Sequence, residues 1–197
     1  MVIKSKFETD EISTRIGLIF SEFGLSPDAW TLLSLVPAVL GFFALVNNDL
    51  PLALVLFLLS GFLDAVDGAV AKFTGTATAF GAFLDGVVDR YVEILLYLGL
   101  LFYGMAPMWI AILIFGAMMT SYMRAYADHR GVVTEPHMHK EMGGLLERPE
   151  RLTLIYLGMF LGQYYQPDFL QFSVIMAGIL ANLTAIQRFY YVVENAR

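Results

Sequence analysis

The chain lacks cysteine altogether and has few charged residues. Without cysteine it cannot form disulfide bonds or thiolate metal sites. Charged residues make up only 15% of the 197 positions, whereas hydrophobic residues make up 58%. Soluble globular domains carry about 25% charged residues. Together with a mean hydropathy of +0.66, this composition argues against an ordinary water-soluble domain and predicts an integral membrane protein.

Long apolar stretches fill nearly the whole chain. A helix that crosses the hydrocarbon core of a bilayer needs about 20 mostly apolar residues. Six stretches qualify, at approximately 30–47, 51–71, 79–103, 107–127, 150–164 and 168–193. Pro51, Pro107 and Pro167 stand where spans begin, which suits a residue without a backbone N–H. The sequence therefore predicts an all-α fold with six transmembrane helices, forming one domain over residues 1–197 with the bundle in 25–197.

The basic residues all fall at one end of these predicted spans. The connections at 47–50, 103–106 and 163–166 contain neither lysine nor arginine. Because basic residues accumulate in cytoplasmic loops, we expect a multi-pass protein of the cell membrane with both termini in the cytoplasm.

The first 24 residues carry charges interspersed with apolar positions at helical spacing, including Ile12, Ile16, Ile19 and Phe20. This spacing predicts an N-terminal cytoplasmic amphipathic helix that lies in the membrane interface. An ordinary packed surface helix explains the same pattern equally well. The segment has no continuous apolar run followed by small residues, so we expect no cleaved signal peptide.

Four aspartates interrupt the apolar pattern within DAVDGAVAKFTGTATAFGAFLDGVVD, at positions 64, 67, 85 and 89. Carboxylates at membrane depth cost several kcal/mol and are functional by default. The polar residues 74–78 predict a tight turn between two helices. Asp67 and Asp85 are centred on residue 76, and Asp64 and Asp89 on residue 76.5, so equal helical rise brings each pair to matched depth. All four carboxylates are predicted to converge.

A carboxylate cluster without histidine or cysteine favours hard cations that bind oxygen. We therefore interpret the cluster as a site for Mg²⁺ or Mn²⁺, with two ions holding a diphosphate. The alternative is a set of structural ion pairs with Arg90 or Lys72. Four buried acids would exceed these cations, and the surplus charge would be costly.

The residues around this cluster form a longer pattern, Asp64-x2-Asp67-Gly68-x2-Ala71-Lys72-x8-Gly81-x3-Asp85-x3-Asp89. It resembles the signature of the CDP-alcohol phosphotransferase family, which implies six membrane helices, a homodimer and transfer of a lipid phosphate from a CDP-activated lipid to an alcohol. The pattern departs from the family at Lys72, where arginine is usual. Lysine keeps the charge but loses the bidentate guanidinium.

The resemblance also implies roles for individual residues. Asp64, Asp67, Asp85 and Asp89 would bind the metal, and Asp89 would also act as general base. A second set of residues would contact the CDP-lipid. Part of this set lies in the segment 26–31, which also resembles a family motif; the alternative interpretation of that segment is a simple helix cap. The members of that set are Pro27, Asp28, Thr31, Gly68, Lys72 and Gly81.

Arginines mark a second region. The sequence ERPER at 147–151 resembles an element of the phosphatidylinositol phosphate synthase branch of the family. Arg124, Arg148, Arg151 and Arg188 would together bind the phosphate of the acceptor, inositol phosphate. The cytoplasmic bias of basic residues explains any one exposed arginine equally well.

The predicted function is therefore transfer of the phospholipid moiety of CDP-diacylglycerol or CDP-archaeol to inositol phosphate, with release of CMP. The same chemistry with glycerol phosphate or serine is the alternative within the family. An intramembrane prenyltransferase and an ion or proton transporter are the alternatives outside it. Membrane lipids are expected partners, and no motif indicates nucleic acid.

Overall fold

The computed structural model describes residues 2–196, and the side chains of residues 11–135 and 137–196. Met1 and Arg197 lie outside the described residues, so the outer ends of the predicted segments 1–24 and 1–197 do as well. All of the regular secondary structure assigned within the described range is helical, which confirms the all-α prediction. The helices are α1 (Val2–Ser21), α2 (Pro27–Val46), α3 (Leu50–Thr74), α4 (Ala79–Phe102), α5 (Pro107–His129), α6 (Pro136–Glu141), α7 (Arg148–Tyr164) and α8 (Asp168–Asn195).

Among the described residues, four helices are long and apolar enough to cross a membrane, namely α2, α3, α5 and α8. Helix α4 carries Asp85, Asp89, Arg90 and Glu93 near its middle and so lacks a long uncharged stretch. Helix α7 has only 17 residues. The structure thus supports a membrane protein, while the predicted count of six spans remains a prediction.

Polar residues and prolines set the helix starts. Ser26 caps α2 by accepting a hydrogen bond from the backbone N–H of Ala29 at 3.2 Å. Asp49 caps α3 through Leu52, and Pro167 occupies the N-cap of α8. Each helix boundary lies within about three residues of the predicted span, as expected for sequence-based boundaries. The short helix α6 was not predicted.

The chain divides into two compact units at Gly99 and Leu100, inside the last turn of α4. In the first unit, α1 packs closely on α3 at Gly17. A β-carbon there would lie 2.5 Å from the carbonyl oxygen of Ala69. Ile16 and Phe20 of α1 pack against the buried cluster of Trp30, Val66 and Val70, whereas Ile12 and Ile19 are exposed. Helix α1 therefore has one packed face and one exposed apolar face.

In the second unit, α8 packs against α5 and α7. A β-carbon at Gly116 would lie 2.6 Å from Nδ2 of Asn182. The same Nδ2 donates a hydrogen bond to the carbonyl of Ile112 at 2.9 Å. A β-carbon at Gly158 of α7 would lie 2.3 Å from Oγ of Ser173. Small residues and the hydrogen bond from Asn182 thus bring these backbones together, as is common in membrane bundles.

Candidate active site

The predicted tight turn joins α3 and α4 and brings their polar ends together. Gly75 ends α3 in the left-handed region at φ 68°, where glycine is favoured. Thr78 directly precedes α4, and its hydroxyl accepts a hydrogen bond from the N–H of Gly81 at 2.9 Å. The hairpin geometry assumed from the spacing of the aspartates is therefore present.

Three of the four aspartates converge across this hairpin. Asp64, Asp67 and Asp85 each offer one carboxylate oxygen, and these oxygens lie within 4.8 Å of one another. Asp67 is buried, with 7% exposure, while Asp64 and Asp85 are half-buried. Asp89 lies one turn further along α4 and does not belong to this close group.

Helix α2 contributes to the cluster through Thr31. Its hydroxyl lies within hydrogen-bonding distance of both the Asp67 carboxylate and the carbonyl of Pro27. A hydroxyl has a single proton, and the carboxylate is the stronger acceptor. Because Thr31 is also buried, this bond fixes the orientation of Asp67 from a second helix.

A cavity of about 320 Å³ opens beside the carboxylates. Its lining includes Asp67, Asp85 and all six residues that were predicted to contact the CDP-lipid. Those six are Pro27, Asp28, Thr31, Gly68, Lys72 and Gly81. A β-carbon on Gly68 would meet no atom within 4 Å, so glycine at this position leaves the cavity wall open. A β-carbon on Gly81 would lie 3.1 Å from Oδ1 of Asp28.

Arginines form a cluster in the second unit. Arg188 on α8 is 5% exposed and Arg151 on α7 is 1% exposed, although both are charged. Arg188 donates to the carbonyls of Thr120 and Gly143 and, at 2.9 Å, to Oε1 of Glu147. Removing a charged guanidinium group from water costs free energy, so two buried arginines require specific partners that offset this cost.

Arg124 on α5 shares the same carboxylate. Its Nη2 donates to Oε1 of Glu147 at 3.2 Å. Its Nε is buried and has no hydrogen-bond partner in the described part of the chain. The guanidinium group is therefore held by Glu147 through Nη2, while its Nε remains available to donate to an anion.

Comparison with known proteins identifies the family. The model of the CDP-alcohol phosphatidyltransferase family matches residues 25–190. The chain belongs to this family.

Among family members, the chain is 31% identical to the archaetidylinositol phosphate synthase of Methanothermobacter thermautotrophicus, over 92% of this chain and 90% of that protein. It also resembles the phosphatidylinositol phosphate synthase of Mycobacterium tuberculosis in two solved structures, each with 26% identity and a TM-score of 0.80. The structure with CDP-DAG bound aligns over 92% of this chain and 94% of that one. The complex with manganese and citrate aligns over 92% and 88%.

As a CDP-alcohol phosphatidyltransferase, the chain is a phospholipid-synthesising transferase, and its carboxylate cluster suits a divalent metal. Asp64, Asp67 and Asp85 supply oxygen donors only, the type that Mg²⁺ and Mn²⁺ prefer. Three carboxylates this close repel one another unless a cation offsets their charge. The donor set therefore fits a divalent cation.

Two groups with specific contacts escaped the sequence analysis. Glu147 was noted only as part of ERPER, yet its carboxylate joins two arginines. Glu93 on α4 is 3% exposed and bonds Arg90 at 2.9 Å and Tyr97 at 3.0 Å. The contacts of Glu93 could have been predicted, because Arg90 lies three residues before it and Tyr97 four residues after it, on the same helical face. No local signal connects Glu147 to Arg188, 41 residues away.

Proposed function

We propose that this transferase moves the phosphatidyl or archaetidyl group of a CDP-activated lipid to inositol phosphate and releases CMP. The observation that carries the proposal is the convergence of three carboxylates beside a cavity whose lining includes all six expected donor contacts. The relatives named for inositol phosphate products support the acceptor.

In this reaction the acceptor hydroxyl oxygen forms a bond to the lipid-linked phosphorus. The bond from that phosphorus to the oxygen of CMP breaks, and CMP leaves with its phosphate. We assign Asp89 as the base that accepts the hydroxyl proton, because it lies one helical turn from Asp85 without belonging to the close group. Two Mg²⁺ or Mn²⁺ ions, held by the four aspartates, would supply charge neutralisation on the diphosphate.

The remaining assigned residues bind the two substrates. Pro27, Asp28, Thr31, Gly68, Lys72 and Gly81 contact the CDP-lipid. Arg124, Arg148, Arg151 and Arg188 bind the acceptor phosphate. The buried Nε of Arg124 supports this role because it is a donor without a hydrogen-bond partner among the described residues. A dianionic phosphate is the type of ligand that several charge-assisted donors stabilise.

The first test is CMP release by the purified protein with CDP-diacylglycerol or CDP-archaeol and Mg²⁺. The acceptors to compare are inositol phosphate, free inositol, glycerol phosphate and serine. We expect release with inositol phosphate alone, and its loss on addition of a chelator. Release with a different acceptor, or equal release with free inositol, would overturn the assignment of the arginines. Release that persists in chelator would overturn the metal site.

We further propose six spans in one membrane domain, with both termini in the cytoplasm, α1 in the interface and a homodimeric assembly. Helix α4 has 24 residues and α7 has 17, so at 1.5 Å per residue they extend about 36 Å and 25 Å. Both lengths fall within or close to what a span requires. The exposed Ile12 and Ile19 support an interfacial position for α1.

The cysteine-free sequence makes the topology easy to test. Ala106→Cys, Thr134→Cys and Gln166→Cys each place one thiol at an exposed position. With six spans, a membrane-impermeant maleimide should label positions 106 and 166 in intact cells and position 134 only after permeabilisation. Labelling of position 134 in intact cells, or protection of 106, would contradict this topology. Chemical crosslinking in membranes tests the dimer.

A further inference from the structure

Glu147 occupies the N-cap of α7 but does not act as a cap. Its side chain makes no capping hydrogen bond. Its Oε1 instead accepts hydrogen bonds from Nη2 of Arg188 at 2.9 Å and from Nη2 of Arg124 at 3.2 Å. Charge-assisted bonds of this kind are about twice as strong as neutral ones. The carboxylate is therefore directed to the arginine cluster and away from the helix.

The two arginines come from different helices and would repel each other without Glu147. Because both nitrogens bond a single oxygen, they lie no more than about 6 Å apart. Two guanidinium groups on a single carboxylate leave a net positive charge at this place. One carboxylate thus offsets the repulsion inside a cluster with an excess of positive charge.

The chain around Glu147 is held in place by other bonds. The N–H of Leu146 donates to Oγ1 of Thr184 at 3.0 Å, and the N–H of Leu145 donates to Oε1 of Gln187 at 3.1 Å. Nε of Arg188 donates to the carbonyl of Gly143 at 3.1 Å. Removal of the Glu147 carboxylate therefore leaves this segment attached to α8.

We propose that Glu147 is a positioning residue that holds Arg124 and Arg188 in one arrangement, ready for the phosphate of the acceptor. This inference rests on the proposed function. Glu147 itself carries the wrong charge to contact a phosphate dianion, so it acts through the arginines. Fixing two cations before the substrate arrives lowers the ordering cost of binding, and this benefit applies to the acceptor but not to the CDP-lipid.

The test compares Glu147→Ala and Glu147→Gln with wild type. Glu150→Ala is the matched control, because Glu150 is an exposed acid in the first turn of the same helix. CMP release is measured against inositol phosphate at saturating CDP-lipid, and against CDP-lipid at saturating inositol phosphate. Thermal unfolding is recorded for each variant.

We expect Glu147→Ala to raise the KM for inositol phosphate roughly 10-fold or more, with the KM for CDP-lipid within about twofold of wild type. Glu147→Gln keeps an acceptor oxygen and should recover part of the loss. Glu150→Ala should match wild type. A lower acceptor KM in Glu147→Ala would overturn the proposal, because Glu147 would then compete with the substrate. A rise in both KM values, together with a lower kcat and a lower unfolding temperature, would also overturn it, in favour of a structural role.

The experiment distinguishes a wrong acceptor from a wrong role for Glu147. If the wild type releases no CMP with inositol phosphate, the proposed function fails and this inference fails with it. If the wild type uses inositol phosphate and Glu147→Ala behaves like Glu150→Ala, only the role of Glu147 is wrong.

Discussion

Gly144 is the position where the structure predicts the sharpest effect of a single added methyl group. A β-carbon at residue 144 would lie 2.1 Å from Cγ2 of Thr184 and 3.2 Å from its Cβ. Thr184 has no exposed surface, so it cannot rotate away into solvent or lipid. Gly144→Ala must therefore push the segment that precedes α7 away from α8.

The expected cost has two parts. Overpacking of a buried contact costs about 1–3 kcal/mol. The displacement also weakens the hydrogen bond from the N–H of Leu146 to Thr184, at 3.0 Å, which contributes about 1 kcal/mol. For a chain of this size 1 kcal/mol shifts the melting temperature by about 2–4 °C, so Gly144→Ala should lower it by roughly 4–16 °C.

Thermal unfolding of the purified protein in detergent measures the effect, and a double-mutant cycle identifies its cause. Thr184→Ser removes Cγ2 and retains the hydroxyl that binds Leu146. In that background Gly144→Ala should lose most of its cost, which appears as a coupling energy between the two positions. A melting temperature within about 1 °C of wild type for Gly144→Ala, or an equal loss in both backgrounds, would refute the steric argument.

Three further predictions concern the substrates and the metal. Asp89→Asn should lower turnover about 100-fold or more while CDP-lipid binding, measured at equilibrium, stays close to wild type; turnover near wild type would remove Asp89 from the role of base. Arg148→Ala should raise the apparent KM for inositol phosphate about 10-fold with little change for CDP-lipid, and a change confined to CDP-lipid would contradict its assignment to the acceptor. Thr31→Val removes the hydroxyl that orients Asp67 and should raise the Mg²⁺ concentration for half-maximal CMP release about 10-fold. An unchanged Mg²⁺ titration would show that this hydrogen bond does not affect the metal site.

Features set by local sequence were predictable. The apolar runs and their bounding prolines predicted the ranges of the long helices, because span length and start signals depend on neighbouring residues. The symmetric spacing about residue 76 predicted the hairpin and the meeting of Asp67 with Asp85. The family pattern selected six residues that line one cavity, although Asp28 and Gly81 are distant in sequence.

Features set by contacts between distant segments were not predictable. Equal rise along two helices would also have placed Asp89 beside Asp64, yet Asp89 lies outside the close group. Matched depth does not determine how far apart two helix axes lie or where each side chain points. The attachment of residues 143–147 to α8 spans about forty positions and leaves no periodic signal. The sequence analysis assigned Arg188 to the acceptor phosphate, but it did not predict the three protein groups that Arg188 contacts.

The bond between Thr31 and Asp67 has a thermodynamic consequence. Thr31 lines the cavity assigned to the CDP-lipid, and Asp67 is assigned to the metal. A shift of Thr31 on binding of the nucleotide would alter the orientation of Asp67, and a shift of Asp67 on binding of the metal would alter the cavity wall. The two binding equilibria are then linked, and linkage is reciprocal. If the metal increases the affinity for CDP-lipid by a given factor, the CDP-lipid must increase the affinity for the metal by the same factor.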